Sequence, residues 1–565
     1  MKIEYTTISK GKKVMKFVLT ALNAKYIHTS LSVRCLYANV KDICDATIKE
    51  YTINDTIGDI CSDILSGNPD CVAFSCYIWN IEMVLKVSSV IKKANPDITI
   101  VLGGYEAMYE SEKLMQDNPQ IDVIIRGEGE ITLREYIKSG LINVAGLTYR
   151  QNGNIISTPN RTELCELDSL PFVYDDSIDE YKNRIIYYES SRGCPYRCTY
   201  CISGDNSKVR FLSVDRVKRE LDFFIEHKVP LVKFVDRTFN ANPKRAKEIL
   251  RHIADRGADT VFHMELSGDI IDDEMIEIVS KVKKGTLRFE IGVQTTNPDT
   301  MKAIERDISF SKLSDAVKKL MELDTAHIHL DLIAGLPEED IASFKKSFED
   351  VLSLKPHVLQ LGFLKLLKGS KIRTQEENYN YKYSPYAPYE VISNDFVSYE
   401  DLLAIKCVEE ALEKYYNSGS FAHTMKYLFG KEKSMFDLFL KVGKYIKESF
   451  VVGYAFSRQQ LFDVLYEAVN SSDILFMEEL KRDYLMHFRV GKRPYWFDEE
   501  DKALIGRVYD MFRDEELKKE HFPQYYDIPA KEIMKHIHPE RFSDGIYIFD
   551  YKNNSVQKID RFCLQ

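Results

Sequence analysis

The sequence predicts an α/β protein in three parts: a doubly wound parallel sheet, a partial (β/α)6 barrel, and a mostly α-helical C-terminal region. Three observations carry this. Short continuous apolar runs alternate with helical segments between Phe17 and Arg126, the pattern of a parallel sheet covered on both faces. The same rhythm resumes at Ile185 for six strand–helix units, which suits an incomplete barrel with its chemistry at the carboxyl ends of the strands. From Tyr399 onward apolar residues recur at helical spacing, as in Leu402, Ile405, Val408 and Leu412.

The chain has 565 residues, enough for about three or four domains, and its 44% hydrophobic and 29% charged content is that of a soluble globular protein. With 77 basic against 87 acidic residues the net charge is −10, which argues against a nucleic-acid partner. No apolar run reaches the length of about 18 residues that a membrane span requires. The first 15 residues are polar, lack the apolar core of a signal peptide and read as an N-terminal extension. Eleven cysteines, an odd number, with three of them clustered, indicate a reducing cytoplasm and not a disulfide framework.

The first domain is expected over 16–150. Its strands are Phe17–Leu22, Ile48–Thr52, Cys71–Ser75, Ile98–Leu102 and Val123–Arg126, with helices from Thr29 to Val40, Thr56 to Leu65 and Ile81 to Lys93. Ligands of such sheets sit beyond the strands' carboxyl ends. The polar and glycine-rich segments fall there: Asn23 to His28, Ser75 to Asn80, Gly103-Gly104, and Gly127-Glu128-Gly129-Glu130. Glycines at these ends let backbone approach a large flat ligand or a phosphate. A small hairpin, Gly146–Tyr149 with Asn152–Asn154, leads into a linker over 151–184.

The barrel is expected over 185–375. Ile185–Tyr188 delivers the loop Cys194-Pro-Tyr-Arg-Cys198-Thr-Tyr-Cys201. Three thiols at spacings of four and three can converge on one centre, but a zinc site would ask for a fourth ligand. The next Cys is Cys407 and the next His is His227. Three thiolates with one position open suit a 4Fe-4S cube whose free iron takes a substrate. Later strands are Leu231–Val235, Val261–Glu265, Arg288–Gln294, His327–Ile333 and Val358–Phe363; the helix after the first of these has Asn242 as cap, Pro243 at its first position and Gly257 past its end. His327 and His329 share a strand face, where hydrogen-bonded interior histidines are expected. A Tyr- and Pro-rich linker over 376–398 then separates the barrel from the helical domain, 399–565, which closes on a hairpin around Gly545–Tyr551. Arg489, Lys492, Arg493, Tyr495 and Trp496 form a basic aromatic patch that reads as a helix-flanking loop.

The cysteine spacing, with Tyr200 just before the last thiol, resembles the signature of the radical S-adenosylmethionine (radical SAM) superfamily, whose fold is TIM-like. An α/β domain directly before it, with Gly103-Gly104 and Gly127-Glu-Gly-Glu130 at strand ends, resembles the Rossmann-like cobalamin (B12)-binding domain of cobalamin-dependent radical SAM proteins. The resemblance covers about residues 16–150 and the barrel, and it implies three cofactors: a 4Fe-4S cluster on Cys194, Cys198 and Cys201, S-adenosylmethionine, and cobalamin. It implies S-adenosylmethionine contacts from Tyr200, Asp236 (by carboxylate or backbone, to the methionyl amine), Glu265, Glu290 and Gln294, with Ile333, Gly335 and Leu336 under the adenine. The acids could equally belong to ion-pair networks. Cobalamin contacts are implied for Asn23, Tyr26, His28, Ser75, Tyr77, Gly103, Gly104, Gly127, Glu128, Gly129 and Glu130. The Asp-x-His-x-x-Gly loop of methionine-synthase-like domains is absent: Asn23…His28-Thr-Ser stands in its place. His28 as cobalt ligand, a water, and an empty lower face therefore all stay open.

The implied activity is reductive cleavage of S-adenosylmethionine followed by methylation of an unactivated carbon or phosphorus centre in a small molecule, lipid or peptide. A low-potential flavodoxin or ferredoxin would supply electrons. A non-methylating cyclase or rearrangement enzyme and a non-catalytic cofactor sensor are the alternatives. No catalytic side chain is assigned.

Overall fold

The structure, a computed structural model, describes residues 15–162, 165–181, 183–205, 208–451, 453–489 and 493–559. The expected N-terminal extension, apart from Met15, and Lys492 of the basic patch lie outside the described residues.

Residues on alternate sides of a strand need cover on both faces of a parallel sheet, and the first 157 residues supply it. The strands are β1 (Lys16–Asn23), β2 (Asp45–Thr52), β3 (Cys71–Ser75), β4 (Thr99–Gly103), β5 (Val123–Ile125), β6 (Leu147–Gln151) and β7 (Asn154–Ser157). Their order is β2-β1-β3-β4-β5-β6-β7, parallel through β5. Val18, Leu22, Phe74 and Leu102 pack into the core on one face. Phe17, Leu19, Ala73 and Val101 pack into that on the other. The expected hairpin is present as β6 and β7, but it extends the sheet as two antiparallel strands, so the layer runs past residue 150. The strand order reverses between β1 and β3, the switch point where such sheets open a crevice.

The second sheet is built from β8 (Ile186–Tyr188), then, after the two-residue strands β9 (Ser191–Arg192) and β10 (Arg210–Phe211), from β11 (Leu231–Phe234), β12 (Val261–Leu266), β13 (Leu287–Gln294), β14 (Ala326–Ala334) and β15 (Val358–Phe363). All six run parallel in the order β15-β14-β13-β12-β11-β8, a partial barrel. β9 and β10 pair separately as an antiparallel clip around the cysteine loop. The helix Pro243–Arg256 begins as its sequence requires: Asn242 caps the backbone of Arg245, and Gly257 ends it at φ +56°. Along β14, Ile328, Leu330 and Leu332 are fully buried. His327, His329 and Asp331 occupy the opposite face.

The expected linker after the barrel is ordered. It holds the short antiparallel pair β16 (Lys382–Tyr383) and β17 (Val391–Ser393). Tyr381 and Asn394 donate to the carbonyl of Gly335 at 3.2 and 3.1 Å. The chain divides into two compact units, the first running to Tyr399 and the second from Glu400.

The second unit contains the helices Ala422–Lys431, Met435–Ser449, Arg458–Val469, Ile474–His487, Lys502–Met511 and Glu515–His521. Its expected terminal hairpin is two strands of a three-stranded antiparallel sheet: β18 (Ile537–Phe542), β19 (Gly545–Asp550) and β20 (Ser555–Ile559). Glu540 accepts from Lys481 and Arg493 and faces His538, all at 3.1–3.2 Å. Trp496 donates to Asp463 at 2.8 Å. The patch residues Arg493 and Trp496 thus hold this unit together. Among the described residues no helix is long and apolar enough to cross a membrane.

Candidate cofactor site

The loop between β9 and β10 brings Cys194, Cys198 and Cys201 to the rim of a cavity of about 170 Å3. Tyr196, Tyr200, Arg237, Thr238, Glu265, Leu266, Ser267, Glu290, Gly292, Gln294, Arg306 and Asp331 complete its wall. Among the described residues, no group of three or more His, Cys, Asp or Glu is gathered for a single metal ion. The donor set, three thiols without a nearby imidazole, suits a cluster, whose irons are spread over a wider cage. Donors already aim at the sulfurs. Ser203 N–H points to Cys201 Sγ at 3.4 Å. Arg306 Nη1 donates to Cys198 Sγ at 3.4 Å and to Tyr200 Oη at 3.2 Å, while its Nη2 donates to the Gly292 carbonyl at 2.6 Å.

The acids on the wall have divergent protonation. His263 and Lys233 hydrogen-bond Glu290 at 2.9 and 3.1 Å. They hold its carboxyl down to about 2. Burial, and then the neighbouring Glu290 charge, push Glu265 up to about 7. The same causes push Asp331 up to about 8. Asp331 Oδ1 and Gln294 Oε1 are buried without a partner. Gln294 also holds a left-handed backbone, φ +72°. Unsatisfied buried acceptors at a strand-end cavity fit a ligand rich in amine and hydroxyl donors, as S-adenosylmethionine is.

Because both acids have folded values above their unfolded ones, the folded protein binds protons more tightly than the unfolded chain. Their contribution is complete below the usual carboxylate range and is lost as pH rises toward about 7 to 8. These two acids should therefore add a downward slope to the thermal stability of the ligand-free protein from pH 5 to pH 8, opposed by the upward slope from His327 and His329, which burial holds down to about 4. Glu265→Gln with Asp331→Asn should remove the downward contribution in melting curves across the range.

Tyr200, Glu265, Glu290 and Gln294 line the cavity. Asp236 does not. Its carboxylate is fully buried and accepts from the backbones of Ser190 and Ser191 at 2.7 and 3.0 Å and from their hydroxyls at 2.5 and 2.8 Å. That carboxylate braces the strand before the cysteines, and only its backbone is left for a ligand. Ile333, Gly335 and Leu336 lie at the end of β14 outside the cavity wall. The histidines expected to be satisfied are not: His327 Nδ1 and His329 Nε2 lack partners.

The N-terminal sheet meets the segment from Ile185 through β9 at both ends of its own row of strand-end loops. At one end the backbone N–H of Ile185 donates to Ile27 O at 2.7 Å, and Thr29 Oγ1 donates to Ile185 O at 2.8 Å. There His28 Nδ1 shares a 2.7 Å hydrogen bond with Tyr187 Oη. Burial, then the cations Lys25, Lys233 and Arg184, lower the pKa of His28, favouring neutral imidazole. Arg184 pairs with Glu50 at 3.3 Å. At the other end Arg192 reaches Glu128 and Glu130. Between these ends lie Ser75, hydrogen-bonded to Ser32 at 2.8 Å, and Tyr77, stacked on the half-exposed Trp79 at 4.4 Å. Asn23 is buried, donating to the His28 carbonyl at 3.2 Å, whereas Tyr26 is 74% exposed.

The four glycines at the strand ends differ in what surrounds them. Gly127 has φ +77° with open space where a Cβ would stand. Gly104 has φ +96°, and a Cβ there would meet Cys76 O at 2.5 Å. Gly104→Ala should cost about 1–3 kcal/mol of stability, read as a lower denaturation midpoint. Gly103 and Gly129 keep negative φ; a Cβ on Gly129 would press on Leu36 at 3.0 Å.

Comparison with known proteins agrees with this geometry. The B12 binding domain family matches residues 17–137, the radical SAM superfamily residues 188–351, and DUF4080, described as a protein of unknown function, residues 377–563. An uncharacterized methyltransferase of Pyrococcus horikoshii is 27% identical over 323 residues, 55% of this chain and 70% of that protein. The cobalamin-dependent radical SAM methyltransferase TokK of Streptomyces tokunonensis is 26% identical over 337 residues, 55% of this chain. The match spans about half of TokK, 49%. The solved structure of OxsB, a cobalamin-dependent S-adenosylmethionine radical enzyme bound to aqua-cobalamin and S-adenosylmethionine, shares the fold. It has a TM-score of 0.61 at 16% identity, covering 86% of this chain and 82% of that one. The two domain matches in this order, over a cysteine-rimmed cavity joined to a glycine-ended sheet, make the chain a B12-binding-domain-containing radical SAM protein with a helical C-terminal region.

Proposed function

We propose that the protein is a cobalamin-dependent radical SAM methyltransferase acting on an unactivated carbon or phosphorus centre of a small molecule, lipid or peptide. The observation that carries this reading is the joining of two cofactor-type sites along one short stretch: β8 and β9 lead into the three-thiol loop, and residues Ile185 and Arg192 of this stretch are held by the segments that follow the strands of the B12-type sheet. Cys194, Cys198 and Cys201 would hold the cluster, and the glycine-lined loops after β4 and β5 would carry cobalamin. When bound, the cluster supplies an electron to the sulfonium and cobalamin supplies a methyl group. The chain's own work is positioning. Gln294, Glu265 and Asp331 offer acceptors to methionyl and ribose donors, and Arg306 neutralises charge at Cys198. A flavodoxin- or ferredoxin-type donor would deliver the electrons.

The test is anaerobic reconstitution with iron, sulfide and hydroxocobalamin, then reduction in the presence of S-adenosylmethionine and a fractionated extract of small molecules, lipids and peptides. Methyl transfer requires 5′-deoxyadenosine, S-adenosylhomocysteine and a methylated product together. Deoxyadenosine without a methylated product would favour cyclase-type chemistry, and neither nucleoside would favour a sensor.

A further inference from the structure

Arg192 stands two residues before Cys194 and reaches from the start of the cysteine loop to the domain that precedes it. Its three nitrogens are divided among three carboxylates. Nε donates to Glu189 at 2.7 Å, Nη1 to Glu128 at 3.1 Å and Nη2 to Glu130 at 2.5 Å. Glu189 belongs to the barrel side, whereas Glu128 is the N-cap and Glu130 lies in the first turn of the helix Gly129–Ser139 that follows β5. Arg210, paired with Arg192 across the β9–β10 clip, donates to the second oxygen of Glu128 and to Cys165 O. The Arg192 side chain is 14% exposed and that of Glu130 7%. A planar guanidinium in such a fork fixes direction as well as distance, which an ammonium cannot do.

Gly127, which opens onto free space, immediately precedes the helix start that carries the two acids. Gly193, immediately after Arg192, has φ +100°, so the chain turns sharply between the guanidinium and the first thiol. A displacement of the residues leading into the cysteine loop would thus be felt at Glu128 and Glu130 through the guanidinium, and a displacement of that helix start would be felt at the thiols. We infer that Arg192 is a positioning residue that couples the two cofactor sites, so that filling one tightens the other. The inference rests on the proposed cobalamin and cluster sites, and it adds a thermodynamic link between them. Such a link must be reciprocal, with typical strengths of fivefold or more in affinity.

The experiment measures the Kd of hydroxocobalamin by absorbance titration on the full chain, with and without the reconstituted cluster. Wild type should bind at least about fivefold tighter with the cluster in place. Arg192→Met should bind equally, within twofold, in both states. Removing the guanidinium leaves buried acids unpaired, so Glu130→Gln, which keeps the cation and loses one arm, is the second variant and should at least halve the ratio. Equal affinities in the wild type, or an undiminished ratio in the folded variants, would overturn the coupling. Absence of hydroxocobalamin binding in both wild-type states would instead overturn the cobalamin reading, and the coupling with it.

Discussion

Replacing Cys198 with alanine is expected to abolish the iron–sulfur chromophore and reductive cleavage of S-adenosylmethionine together. Cys198 is the buried member of the three thiols, 6% exposed. A missing ligand there leaves two thiolates for a cluster that needs three. Even changes outside the ligand shell cost metal sites about 10–100-fold, and loss of a ligand should exceed that. The measurement is iron content and visible absorbance after anaerobic reconstitution, with deoxyadenosine formation as the second readout. A full cluster on the alanine variant would show that the three thiols are not the ligand set. Hydroxocobalamin should still bind the variant, with the weaker affinity of the cluster-free protein, because Gly104 and Gly127 follow strands of a separate sheet.

The second large effect is expected at Arg306. Its guanidinium is partly buried, with one nitrogen on Cys198 Sγ and another on the Gly292 carbonyl. A cation at that distance favours the more negative, reduced cluster. Arg306→Met should therefore lower the cluster's reduction potential. A hydrogen bond to a charged group contributes about 1.5 kcal/mol, which for one electron is about 60 mV. Redox titration followed by electron paramagnetic resonance checks the shift. An unchanged or raised potential would show that the guanidinium serves only to hold Gly292 and Tyr200.

What the sequence displayed and what it concealed follow from the range of the interactions. The three thiols lie within eight residues, and continuous apolar runs such as Cys71–Ser75 announce buried parallel strands locally. Arg306 and Cys198 are 108 positions apart, and Arg192 and Glu128 are 64 apart. No periodicity marks either pair, because each exists only once two strands have been brought together. Asp236 shows the converse. Its place at a strand end suggested a ligand contact, but alternation gives only the face of a side chain, not its partner, and Ser190 and Ser191 claimed all of its acceptors. Asp331 was visible on the same face as His327 and His329. Its role in the cavity wall depended on knowing that β13 and β12 would set Glu290 and Glu265 beside it. The linkers misled for a related reason: Tyr- and Pro-rich composition says that a segment is irregular, and the hydrogen bonds of Tyr381 and Asn394 to Gly335 show that irregular chain can still be fixed.

The grip on β8 bears on how the chain is made. As the nascent polypeptide leaves the ribosome, β1 to β7 are complete once Ser157 has emerged, yet Thr29 and the carbonyl of Ile27 still await Ile185. Glu128 and Glu130 await Arg192 in the same way. The corrin-type sheet thus finishes its own strands early, but its ligand-facing loops are set only when the first barrel strand and the residues leading to the thiols arrive. Truncation before residue 184 should yield a folded sheet with a poorly shaped cradle, and cofactor loading during synthesis should follow translation of the cysteine loop.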